Sequence, residues 1–273
     1  MIQNSAVLVD LNIGVWTARK MDKRVSEEID ASKNTKARAG NYHKNLLAGT
    51  QSLAAVHSVA AAIRTWHYNE TLPWSDNGQR LLTMANFFNY KQVVGDFQKQ
   101  LDDACEAFYL EYPTLVSAMA FQLGDLFNAD DYPTVDEIRR KNYFRVAFSP
   151  VPDAGDFRVD IGEQYRQELV EMNKTREAAA MKDLWDRLHE CLQHMSDKLS
   201  GDTKQIFRDS LVDNAAELCG VLTRLNVTND PKLENARQKL ESTLMGVSAP
   251  ELRKHDGMRK EVKTKVDEIL SMF

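Results

Sequence analysis

Residues 42–67 read YHKNLLAGTQSLAAVHSVAAAIRTWH and carry a seven-residue repeat. Apolar or small residues recur at alternating intervals of three and four, a spacing that keeps one stripe of a helix facing a partner. No proline occurs between Thr17 and Tyr68, and proline is the residue that a helix interior tolerates least. The pattern and the absence of proline predict one long, projecting helix from Thr17 to Tyr68. Its stripe for helix packing or self-association consists of Tyr42, Leu46, Leu53, Val56, Ala60 and Ile63.

Two other stretches have the periodicity of strands rather than helices. Apolar residues occupy every second position from Val7 to Val15, which predicts an N-terminal strand. Residues 143–148 and 157–161 flank a turn rich in proline and glycine, and this arrangement is typical of a β-hairpin. We expect the N-terminal strand and the central hairpin to form a small antiparallel sheet, with a helix covering one face.

The remaining chain reads as helices with clear starts and stops. Residues 72–78 are dense in turn formers, and a return helix over residues 79–112 ends at Pro113. Capping patterns open later helices at Thr134, Asp230 and Ser248. The predicted fold class is mainly α, with long antiparallel helices and a C-terminal helical bundle. We expect residues 1–138 and 139–273 to form two parts of one elongated unit. The later helices are predicted over residues 162–199, 204–225, 232–245 and 251–273.

Composition narrows the class of protein. The chain has 273 residues, 43% of them hydrophobic and 27% charged, and these are ordinary values for a globular protein. Its net charge of −5 gives no bulk attraction for nucleic acid or an anionic membrane. The three cysteines are odd in number and widely spaced, so we expect free thiols in a reducing compartment. No secretory signal or membrane-spanning stretch is recognisable, and we therefore expect a cytoplasmic protein without a membrane partner.

Motifs for catalysis or metal binding are weak. The run His189-Glu190-Cys191-Leu192-Gln193-His194 contains good ligand types, but its two histidines are about 140° apart around a helix. No glycine-rich phosphate loop precedes a Lys-Ser or Lys-Thr pair. We expect neither catalysis nor a cofactor nor a metal site.

Charge is distributed unevenly along the chain. Basic residues gather before residue 45, whereas the segment from Glu70 to Glu137 is strongly acidic. One interpretation is pairing of the two segments within the chain or between subunits. The other is a phosphate-binding surface, with Trp16 or Trp66 as platforms on which bases stack. Trp74, in a predicted turn, is a candidate exposed anchor. The candidate nucleic-acid contacts are Arg19, Lys20, Lys23, Arg24, Lys36 and Arg38.

Three stretches together resemble a tailed-phage family known as domain of unknown function 3150. They are LNIGVWTARK (residues 11–20), YFRVAFSPVP (residues 143–152) and APELR (residues 249–253), the last followed by Arg259 in the final helix. The resemblance implies no established activity. It implies a genetic context near a MoxR-like AAA+ ATPase, a von Willebrand factor A-type protein and phage recombination genes, and hence the cytoplasm of an infected bacterium.

Two functional hypotheses follow. The first is a non-enzymatic helical assembly protein of the phage type, which forms homo-oligomers through its long helices or serves as adaptor or client of an AAA+ ATPase. The second is a protein that binds single-stranded nucleic acid in phage recombination or replication. A third, weaker hypothesis is a membrane-active helical protein, for which the sequence offers no apolar hairpin.

Overall fold

The computed structural model describes residues 2–153, 162–200 and 208–273. The chain is mainly α-helical with a small antiparallel sheet of four strands, which confirms the predicted fold class. Four strands form this sheet: β1 (Ala6–Gly14), β4 (Leu72–Pro73), β5 (Arg80–Thr83) and β6 (Tyr143–Pro150). Two further strands, β2 (Arg19–Asp22) and β3 (Tyr42–Asn45), pair with each other separately. The helices are α1 (Lys23–Ser32), α2 (Gln51–Asn69), α3 (Phe87–Gln122), α4 (Val135–Lys141), α5 (Gly162–Leu199), α6 (Ser210–Leu225), α7 (Pro231–Leu244), α8 (Ala249–Lys254) and α9 (Asp256–Leu270).

The chain divides into two compact units, each assembled from separated segments. Unit 1 comprises Met1–Asp10, His67–Lys91 and Ala147–Phe273, and unit 2 comprises Leu11–Trp66 and Gln92–Val146. These units differ from the two consecutive stretches, 1–138 and 139–273, that the sequence predicts.

The four-stranded sheet has the order β4-β5-β1-β6. Strand β5 pairs antiparallel with both β1 and β4, and Leu8 lies opposite Leu81 in the β1 register. The N-terminal strand therefore neighbours the first strand of the predicted hairpin. The predicted second strand of that hairpin, residues 157–161, lies outside the described residues. Strands β4 and β5 were not predicted, because Arg80–Thr83 is short and its Leu81-Leu82 pair is as compatible with a helix as with a strand.

The core of unit 1 is built around the C-terminal helices. Helix α5 contributes a stripe of fully buried side chains and packs against α6 and α9, while α7 packs against α6 and α9. Strand β4 contacts α5 and β5 contacts α6, so helices cover this part of the sheet. The buried stripe consists of Leu184, Leu188, Leu192 and Met195.

The core of unit 2 joins three helices. Leu53, Val56, Ala60 and Ile63 of α2 share one hydrophobic cluster with Phe108 of α3 and Ile138 of α4. The stripe predicted on residues 42–67 is therefore a packing stripe within the chain from Leu53 onward.

The continuous helix predicted from Thr17 to Tyr68 is wrong. Asp22 ends β2 and accepts a hydrogen bond from the backbone nitrogen of Val25, which starts the separate helix α1. Gly49 has a φ of +76°, a conformation that a helix does not contain, and α2 begins only at Gln51. Tyr42 consequently lies in β3, and Leu46 lies in the turn that follows it.

Two other helix boundaries differ from the predictions. Pro113 lies inside α3 rather than at its end, because Tyr112 and Met119 on either side of it are buried in the core of unit 2 and hold the helix together. The predicted last helix is divided at His255 into α8 and α9.

The predicted capping patterns are present. Thr134 and Glu137 form a reciprocal capping box at α4, and Asp230 caps α7 with Pro231 in the first turn. Ser248 accepts a hydrogen bond from the backbone nitrogen of Glu251 at the start of α8. These helix starts were predictable because each is decided by residues adjacent in sequence.

Candidate nucleic-acid interface

The six basic residues singled out in the sequence fall on one structural element of unit 2. We call residues 19–45, which comprise β2, α1, a connecting loop and β3, the basic module. Arg19 and Lys20 lie in β2, Lys23 and Arg24 in the first turn of α1, and Lys36 and Arg38 in the loop. All six side chains are exposed.

Short-range hydrogen bonds explain why this segment folds as a strand, a helix and a second strand. Strands β2 and β3 pair antiparallel, with Lys20 opposite Lys44 and Asp22 opposite Tyr42. The hydroxyl of Ser26 donates to the carbonyl of Asp22 at 2.6 Å and accepts from the backbone nitrogen of Tyr42 at 2.9 Å. The buried Ser26 therefore ties the helix to both strands.

A buried ammonium group anchors the module to the rest of unit 2. The nitrogen of Lys44 lies 2.6 Å from Asp131 and 3.3 Å from Asp22, and it donates a hydrogen bond of 2.8 Å to the carbonyl of Leu126. Burial acts to lower the pKa of Lys44, but the hydrogen bonds to Asp131 and Asp22 outweigh it, so the pKa is raised and the group stays charged. Sequence reasoning counted Lys44 among the basic residues and missed this role.

The loop of the module presents its charges to solvent. Every residue from Lys33 to Asn41 is exposed. Asp30 at the end of α1 holds the loop, since its carboxylate accepts from the backbone nitrogen of Ala39 at 3.3 Å and its carbonyl accepts from that of Thr35 at 3.1 Å. The loop thus has a defined attachment and an unobstructed basic surface.

The module carries a surplus of positive charge. It contains eight Lys and Arg against four Asp and Glu, giving +4 in a chain whose net charge is −5. Arg24 is partly engaged, by Glu28 at 3.5 Å and by the carbonyl of Asp125 at 3.2 Å. Lys20 lies 3.8 Å from Asp131, and Arg38 contacts the sulfur of Met21. Among the described residues, no ion-pair partner is found for Arg19, Lys23, Lys33 and Lys36.

Pairing with the acidic segment of the sequence accounts for little of this charge. Within the described ranges, Asp131 is the one acidic residue between positions 70 and 137 whose carboxylate pairs with the module, through Lys44 and Lys20. Glu106 of the same acidic segment pairs instead with Arg139 on α4. Most of the module's positive charge is therefore directed at solvent.

The tryptophans suggested as stacking platforms or anchors do not have open rings. Trp16 is 8% exposed, and its ring packs against Tyr112 with the centroids 5.8 Å apart. Trp66 is half-buried, with its ring centroid 5.3 Å from that of Phe97. Trp74 is buried in the core of unit 1 and is not an exposed anchor. The module can therefore contact phosphates, whereas these rings are not placed to stack on bases.

A cavity of about 500 Å³ borders the module where α2 begins. Its lining includes Arg19, Asn45, Gln51 and His57. Helix α2 has no acidic residue in its first turn, so its N-terminal dipole adds to the positive potential there. This position extends the basic surface beyond the six predicted residues. His57 and Asn45 had no signal in the sequence that would have joined them to Arg19.

A second cavity, of about 730 Å³, lies in unit 1 between α5 and α6. Burial raises the pKa of its Cys191 to about 11, so the thiol is protonated near neutral pH and a poor nucleophile. Arg187, also in its lining, donates hydrogen bonds to three carbonyl groups at and just after the end of α2, those of Tyr68, Asn69 and Thr71.

The two histidines of the 189–194 run face different surroundings. His189 packs against the ring of Phe273, while His194 lines the larger cavity. Among the residues that the structure describes, no group of three or more His, Cys, Asp or Glu side chains is placed to hold a metal ion.

Comparison of the chain with protein-family models, curated proteins and solved structures gives no match. Membership of the tailed-phage family therefore stays a prediction. Among the described helices, none combines the length and the apolar character needed to cross a bilayer.

Proposed function

We propose that this protein binds nucleic acid through the phosphate backbone, with the basic module as its contact surface. The observation that carries the proposal is the gathering of all six predicted basic residues, exposed, on one element of +4 charge in an otherwise acidic chain. Phosphate contacts supply most of the affinity of sequence-independent binding, and they need exposed Lys and Arg rather than base-reading side chains.

The anchoring of the module supports a binding surface rather than a solvated loop. Inside the protein Lys44 faces the two carboxylates of Asp22 and Asp131, and Lys20 adds a second cation 3.8 Å from Asp131, so the fixed base of the module is electrically balanced. Arg19, Lys23 and Lys36 remain available outside it. A nucleic-acid strand bound along the module would release the counterions condensed on its phosphates without breaking the buried ion pairs of the module.

The mode of binding predicts steep salt dependence and little sequence preference. For single-stranded nucleic acid, the logarithm of the association constant falls with a slope of about −0.7 per neutralised phosphate, so six contacts predict a slope of about −4. Single strands are the ligand hypothesised from the sequence, and a duplex of the same length has phosphates on both strands and therefore a higher charge density. Both belong in one titration.

Assembly through the stripe from Tyr42 to Ile63, the first hypothesis from the sequence, loses the observation that motivated it. Leu46, Leu53, Val56, Ala60 and Ile63 are buried in the core of unit 2, and Tyr42 is half-buried in β3. The partnership with an AAA+ ATPase depends on the family resemblance alone and stays a prediction. The proposal assigns the chain no catalytic step.

The test is fluorescence anisotropy with a labelled single strand and a labelled duplex over a salt series. Reversal of four charges, Arg19→Glu, Lys23→Glu, Lys36→Glu and Arg38→Glu, should abolish binding. The matched control makes the same change in charge on exposed lysines of unit 1, Lys232→Glu, Lys239→Glu, Lys254→Glu and Lys260→Glu. This control should keep most of the affinity.

Three outcomes contradict the proposal. The first is absence of salt-dependent binding by the wild-type protein. The second is an equal loss in the module variant and the unit 1 control, which would indicate a net-charge effect. The third is displacement of the labelled strand by polyglutamate as effectively as by unlabelled strand, which would mark the module as a surface for acidic proteins.

A further inference from the structure

The C-terminal half of α3 exposes two large apolar side chains on one face. Leu110 is 82% exposed and Phe121 is 91% exposed. The opposite face of the same helix is fixed in the core of unit 2 through Phe108, Tyr112 and Met119. These two exposed side chains are therefore held on a rigid element and are not part of a loop.

The exposed residues of this face follow a heptad spacing. Small side chains occupy the positions between the two large ones, and all five residues are exposed. Glu111 is the one charged residue in the sequence from Ala107 to Gly124. We call the following set the α3 face: Ala107, Leu110, Thr114, Ser117 and Phe121.

Four of the five residues of the α3 face are placed symmetrically about the point between residues 115 and 116, and Ala107 is the exception. Leu110 and Phe121 are equidistant from that point, and so are Thr114 and Ser117. In an antiparallel pair of two copies, each Leu110 would meet Phe121 of the other copy, and the small side chains would meet at the centre. A surface that matches itself under a two-fold axis is the requirement for a closed dimer.

The charge and the exposed area of the α3 face are both compatible with a second copy of the chain. In this register Glu111 lies opposite Ala120 of the second copy, so no like charges face each other across the centre. Leu110 and Phe121 together expose on the order of 400 Å², about half of the ~800 Å² that each partner contributes to a standard interface.

We propose that the α3 face is a self-association surface, on which a second copy of this chain packs antiparallel with Leu110 against Phe121. This surface is distinct from the stripe on α2 that the sequence suggested, and it does not depend on nucleic-acid binding by the module.

The experiment measures the mass of the full chain by light scattering and sedimentation equilibrium over a concentration series. The wild-type chain should give twice the 31.1 kDa of the monomer. Leu110→Lys and Phe121→Glu should each give monomers, because each places a charge against an apolar side chain at both ends of the interface.

Two controls keep the result interpretable. Met245→Glu, at a side chain of unit 1 that is 79% exposed, should leave the dimer unchanged. Circular dichroism should be the same for all variants, since the substituted side chains lie outside the core. A monomeric wild-type chain at high concentration, or dimers in both single variants, would each overturn the proposal.

Discussion

The ammonium group of Lys44 lies 2.6 Å from a carboxylate oxygen of Asp131, and solvent reaches 6% of the first side chain and 12% of the second. The pair links β3 to the short 3-10 turn Ala129–Asp131, far away in the sequence. Asp22, which caps α1, shares the same ammonium group. One buried cation thus holds both the first and the last strand of the basic module.

Removal of that cation should destabilise the protein. Lys44→Met leaves the largely buried Asp22 without its closest counter-ion and Asp131 with only the more distant Lys20, and the loss of one partner of such a buried network costs about 3–5 kcal/mol. Urea denaturation should show this decrease in the free energy of unfolding. Lys36→Met, at an exposed position of the same module, should change it by less than about 0.5 kcal/mol. Equal stabilities for the two variants would contradict the anchoring role.

Stability should fall on mild acidification because of His67. Its Nδ1 lies 2.7 Å from the hydroxyl of Tyr90 in unit 1, and burial, together with the charge of Arg80, lowers the pKa of His67 to about 4. The unfolded chain, with an ordinary histidine pKa of about 6.5, binds the proton more tightly. The free energy of unfolding should therefore decrease as the pH falls from about 6.5 to 4, by on the order of 3 kcal/mol.

The check is a series of denaturation curves between pH 7 and pH 4 for the wild type and His67→Gln. Glutamine can keep a hydrogen bond to Tyr90 but cannot be protonated in this range. The variant should lose most of the pH dependence above pH 4. If its profile parallels that of the wild type, another group is responsible for the titration.

Gly14 should be intolerant of a side chain. A Cβ atom at this position would overlap the ring of Tyr143 on the neighbouring strand β6. Gly14→Ala must displace that ring, and we expect a loss of about 1–3 kcal/mol in the free energy of unfolding. Gly40→Ala is the matched control, because a Cβ there meets nothing within 4 Å. Adding Tyr143→Ala to Gly14→Ala should remove most of the extra cost, and an additive double variant would argue against the overlap.

Local signals in the sequence predicted the fold class and many helix boundaries. The caps at Thr134, Asp230 and Ser248 were recognisable because a few neighbouring residues decide them. The same kind of signal was present at Asp22, which precedes α1 and caps it. Weighing that residue as a cap would have placed a helix start at Lys23, inside the predicted long helix.

Long-range pairing explains what the sequence did not predict. Strands β2 and β3 are short and polar, and they are defined by pairing across about 20 residues rather than by periodicity. The six basic residues share one segment of the sequence, but their arrangement on a β–α–β element depends on Lys44 reaching Asp131. That contact joins residues with no common local pattern. The exposure of Leu110 and Phe121 was hidden for the same reason, since only the packed core shows which face of α3 is covered.

The distribution of the two units along the chain determines which unit can complete its core first during synthesis. Every residue of unit 2 precedes Ala147, whereas unit 1 combines Met1–Asp10 with helices from the C-terminal half. A polypeptide leaves the ribosome N-terminus first, so unit 2 can complete its core while α5–α9 are still being made. The apolar residues of β1 that belong to unit 1 can be fully buried only after those helices have been made. Strand β1 precedes the other described strands along the chain, yet its unit 1 residues are among the last to be covered, so their apolar side chains stay exposed while unit 2 folds.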